Sequence, residues 1–73
     1  MAYSNFPADA VYAATQRALS VLSGEAGREA ELNLQRLGRI ADLSRAAIAF
    51  DPKQDVAISS DDIALFRGQL RPS

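Results

Sequence analysis

The chain has 73 residues, 48% hydrophobic and 23% charged with a net charge of −1, and it reads as one small domain with a thin core, because a chain of this size buries only about 60% of its unfolded surface. It contains neither cysteine nor histidine, which excludes disulfide staples, Cys/His zinc sites and a histidine-activated nucleophile. The near-neutral balance gives no overall field that would attract nucleic acid, and no apolar run reaches the ~18 residues of a membrane span.

Residues 1–5 read as a frayed end, and MAYSNFPADA lacks the charged and apolar regions of a signal peptide, so a cytoplasmic protein is expected. Phe6-Pro7 should open a first helix over residues 7–22, with Asn5 or Ser4 as its cap and Asp9 at the positive end of the dipole. Val11, Ala14, Ala18, Val21 and Leu22 recur at steps of three and four along it, flanked by Tyr12 and Leu19. Ser23-Gly24 supplies a stop.

Residues 24–50 read as one long helix around which the rest is organised. Its polar residues, Arg28, Glu31, Gln35, Arg39, Asp42 and Arg45, fall in a narrow stripe, and the apolar ones spread over roughly 200°, about twice the width of a one-sided surface helix. The apolar part divides into a seam at heptad-like spacing (Gly27, Ala30, Leu34, Leu37, Ala41, Ser44, Ile48) and a flank of Leu32, Ile40, Leu43, Ala47 and Phe50. One should face the chain's own helices and the other a partner. Gly27 is taken as a small residue at a close helix crossing within this helix, and Asp51-Pro52 ends it.

Val56, Ala57 and Ile58 form a short apolar run that could pair as a strand only across a dimer, since no second strand is evident; an extended segment lying on the helices is the favoured reading. Ser59-Ser60-Asp61-Asp62 is a serine cap followed by acids, and it predicts a third helix over residues 61–70 with Ile63, Phe66 and Leu70 inward and Arg67 and Arg71 near its negative end. The expected fold is therefore all-α. It consists of an antiparallel helical hairpin with a long second helix plus a short C-terminal third helix, forming a homodimeric bundle from a single domain over residues 1–73.

Nothing in the sequence assembles a catalytic, metal or cofactor site, so no enzyme and no cofactor are expected. Asp61-Asp62 are explained by capping and Glu25, Glu29 and Glu31 by the start of a helix, and Gly24 to Gly27 match no phosphate-binding pattern. The remaining candidates are surfaces. Asn33, Leu34, Arg36, Leu37, Ile40, Ala41, Ser44 and Ile48 form the expected dimer or partner interface, and Tyr12 and Phe66 are candidate exposed anchors, with Phe6 and Phe50 assigned to the core and Tyr3 to a mobile N-terminus. The leading expectation is a small intracellular module that binds another protein and modulates, most simply inhibits, its activity. This is a profile of size and composition shared with small accessory proteins of phages and mobile elements. The alternative is a nucleic-acid-binding regulator using Arg36, Arg39 and Arg45.

Overall fold

The computed structural model describes residues 2–70. In chain order it has a strand β1 (Tyr3–Pro7), helix α1 (Ala8–Leu22), helix α2 (Arg28–Phe50), strand β2 (Asp55–Ser59) and a short helix α3 (Ser60–Leu65). The two strands pair antiparallel within the chain, Tyr3 opposite Ser59 and Pro7 opposite Asp55. This overturns the expected all-α hairpin, because the fold is mixed: helices packed with a two-stranded antiparallel sheet.

The missed strand is β1. Phe6 is buried between exposed neighbours, Asn5 and Pro7, and opposite it Val56 and Ile58 alternate with exposed Asp55 and Ala57. Each strand has the period of two of a half-buried sheet, but over only five residues. The apolar run at 56–58 therefore needs no second copy for a partner, and residues 1–5 do not read correctly as a frayed end over the part that is described.

The sheet also explains the start of α1. No side chain caps it, neither Asn5 nor Ser4. Instead the Ala8 N–H donates to the Gln54 carbonyl at 2.8 Å and the Asp9 N–H to the Pro52 carbonyl at 3.2 Å, so the turn before β2 satisfies two of the orphan donors of the helix. Pro7 stands just before these donors, where it lacks nothing that the helix needs.

Tyr12, early in α1, reaches Arg45, late in α2, so the two helices run antiparallel along each other. Their contact is built from Val11, Ala14, Thr15, Ala18 and Leu22 on α1 and Ala30, Leu37, Ala41 and Ser44 on α2, all buried. The hydroxyls of Thr15 and Ser44 do not stand orphaned there: each donates to a carbonyl of its own helix, Tyr12 and Ala41 respectively.

Gly27 lies outside α2 rather than within it. It has φ +113°, a conformation costly for any residue with a Cβ, and α2 begins at Arg28. The turn between the helices is thus longer than residues 23–24, and the seam begins at Ala30.

Ser59 caps α3 as its sequence suggests, its hydroxyl accepting from the Asp62 N–H at 3.2 Å. The helix stops at Leu65, short of the expected residue 70, because Arg67 and Gly68 adopt positive φ, 52° and 83°. Phe66 and Leu70 beyond it are buried and close the core over α1. The Arg67 guanidinium reaches Glu25 at 3.1 Å, while the expected role of Arg71 falls outside the described residues.

Candidate functional site

The two faces of α2 have different fates. Leu37, Ile40, Ala41 and Ser44 are buried within the chain, Leu34 and Ile48 pack partly buried against its core, and Asn33 is half-buried. The seam expected to hold a second copy is thus covered by the chain's own α1. Of the interface candidates only Arg36 is exposed, and it donates to the Asp62 carboxylate at 2.6 Å, tying α3 to the middle of α2.

The other flank is left bare. Leu32 is 51% exposed, Leu43 60% and Phe50 91%, and at 100° per residue these three fall within about 20° of one another on the helix. Phe50, expected in the core, is the most exposed of the large hydrophobic residues. Phe66, placed inward on the third helix and also named as a candidate exposed anchor, is fully buried. Tyr12 is half-buried, and its hydroxyl meets Arg45 Nη2 at 3.3 Å with the guanidinium 5.8 Å from the ring centre. That hydrogen bond raises the Arg45 pKa above its ordinary value.

A groove of about 490 Å³ runs between this flank and the sheet, lined by Leu43, Ala46, Ala47 and Phe50 from α2 and by Gln54, Asp55, Val56 and Ala57 from β2 and the turn before it. No β1 residue lines it, so it opens on the side of β2 away from β1. A separate, smaller hollow lies between Arg36, Arg39, Ile40 and Asp62. Sequence reasoning found Leu43, Ala47 and Phe50 as a flank but missed Gln54, Asp55, Val56 and Ala57, whose only signal was the alternation of β2.

The hydrogen-bond register of the sheet fixes which way the groove-side backbone points. Ala8 bonds to Gln54 at one end and the Ser60 N–H donates to the Ala2 carbonyl at the other, 3.0 Å. Bonded and non-bonded pairs alternate in an antiparallel ladder, so Phe6/Val56 and Ser4/Ile58 are the bonded pairs between them. The N–H and C=O groups of Asp55, Ala57 and Ser59 therefore point away from β1. Among the described residues β2 has no second neighbour. On the far edge of the sheet one of the three outward positions, beside Tyr3 and Asn5, is taken by Pro7, which has no N–H and blunts that end of the edge.

The three arginines proposed for nucleic acid are not gathered on one surface. Arg36 is engaged by Asp62 and shares a hollow with Arg39, whereas Arg45 lies on the other side of α2 against Tyr12 of α1. Among the described residues no cluster of acidic side chains is arranged to hold a metal ion, and no helix is long and apolar enough to cross a membrane.

No protein-family model matches this chain, and neither a curated protein nor a solved structure is significantly similar to it.

Proposed function

We propose that this chain is a small cytoplasmic interaction module that binds another protein through the α2–β2 groove and thereby modulates, most simply inhibits, that protein. The observation that carries this reading is the exposure of Phe50 and Leu43 along one wall of a groove whose other wall is β2, a strand with one edge unpaired among the described residues. Full burial of two such side chains is worth about 1.5–3 kcal/mol each, and large apolar residues grouped around a concavity mark binding surfaces more often than scattered ones do. In this reading the chain affects its partner by occupying a segment that the partner needs.

Placing the photoreactive residue benzoylphenylalanine at position 50, within the producing cell, tests this. The expected result is one discrete adduct with a second protein, absent when the same residue is placed at Gln16 on the exposed face of α1. A position-50 variant that forms no adduct, or only one of twice the mass of the chain, would contradict it.

A further inference from the structure

We infer that the groove is the vacant position of a third strand, filled by an extended segment of the partner protein that adds antiparallel to the outer edge of β2. The inference rests on the proposed protein-binding role and specifies how that binding is made.

Layer geometry comes first. Two packed helices have axes about 8–10 Å apart, whereas neighbouring strands are only about 4.8 Å apart. A two-stranded sheet is thus too narrow to cover two helices. Here the backbone of α1 approaches both strands closely, whereas that of α2 comes close to neither over more than a few residues. One more strand beside β2 would lie over α2, on Leu43, Ala47 and Phe50, the residues that form the wall of the groove. The stretch of α2 from Arg39 to Phe50 spans about 16 Å at 1.5 Å per residue, the length of about five strand residues, and β2 has five.

Backbone chemistry agrees with the layer geometry. Asp55 and Ala57 each turn a donor and an acceptor toward the groove, while Ser59 offers only its N–H because its carbonyl is taken by the first turn of α3, and Ala57 at the centre adds no bulk. Strand addition uses such an edge, with the main chain giving affinity and alternate side chains giving selectivity.

A second copy of this chain fits poorly. Its own β2 would arrive with β1 on one side and α2 beneath, and that second α2 would compete for the space over the first. A single extended segment carries no such layer. The register then states its chemistry. Residues opposite Val56 and Ile58 point down onto α2 and should be apolar. The residue opposite Asp55 faces a carboxylate with no ion-pair partner among the described residues, which calls for a cation. Written antiparallel to β2, the preferred segment is any, apolar, any, apolar, base.

The probe is the capped peptide Glu-Val-Thr-Val-Lys, titrated into the whole protein and followed by NMR. Saturable binding is expected, with amide shifts centred on Ala57 and Ala47. Methylating the peptide's Thr nitrogen, which faces Ala57, should weaken binding about tenfold or more, the scale of one lost buried hydrogen bond. Methylating the nitrogen of the second Val, which points outward, should change it far less. Phe50→Glu should weaken binding by at least the same factor, and Asp55→Lys should favour the peptide with its terminal charges exchanged. Failure of the peptide to bind at millimolar concentration would overturn strand addition, as would binding indifferent to Thr methylation. So would a protein that is dimeric alone and becomes monomeric with Phe50→Glu, because the second copy would then be the occupant. The position-50 crosslink to another protein would survive the first two failures, so the wider reading stands or falls separately.

Discussion

The Ala8 N–H and the Gln54 carbonyl, 2.8 Å apart, join the first residue of α1 to the residue before β2. One hydrogen bond thus fixes both where the helix starts and which amides of β2 face inward. If the alternation it sets is right, proline should be tolerated unequally along β2. Ile58→Pro removes a ladder donor and leaves the Ser4 carbonyl short of a partner, a loss of about 1–3 kcal/mol. Ala57→Pro removes only an outward N–H and should cost less than half as much, while abolishing binding of an added strand. Urea unfolding of the two variants measures the difference.

Phe66 and Phe50, at opposite extremes of burial, give the widest contrast in stability. Phe66→Ala empties a fully buried site and should cost about 3–5 kcal/mol, most of the margin of a domain this small, with a native total near 5 kcal/mol. Phe50→Ser changes a side chain 91% exposed and should stay within about 0.5 kcal/mol of the parent. Thermal melts of the pair test whether the aromatic residue at the end of α2 belongs to the core or to a partner.

At the junction of β2 and α3, Ser59→Ala should cost about 1 kcal/mol, through loss of the cap on the Asp62 N–H. The ion pair between Arg36 and Asp62, with side chains 53% and 26% exposed, should add no more than about 0.2–1 kcal/mol in a double-mutant cycle, and less at high salt. A coupling that persisted unchanged in 1 M salt would mean that this contact is more shielded than its exposure implies.

The helices were legible because their signals are local and repeated: apolar steps of three and four in α1 and α2, and a serine followed by acids at α3. The sheet was not, for a physical reason. A five-residue strand shows barely two periods of alternation, and Tyr3–Pro7 becomes a strand only because β2, some fifty residues later, supplies its partner. With β1 hidden, the only partner imaginable for Val56 to Ile58 was another chain. Gly27 misled for a related reason: it continues the heptad spacing of α2, yet its backbone is needed at positive φ to turn the chain. As for the candidate site, both apolar stripes of α2 were visible, but which one α1 would cover depends on the crossing of the helices, and this no spacing reveals. The seam of small residues, Ala30, Ala41 and Ser44, lets α1 approach closely, and the larger Leu32, Leu43 and Phe50 remain outside.

Amide hydrogen exchange along β2, with and without the Glu-Val-Thr-Val-Lys peptide, tests the vacant strand most directly. The predicted pattern in the free protein is slow exchange at Val56 and Ile58, whose N–H groups bond to β1, and fast exchange at Ala57; adding the peptide should slow Ala57 toward its neighbours. Ala57 already as protected as Val56 in the free protein, or still fast with the peptide at saturation, would contradict an open edge waiting for a third strand.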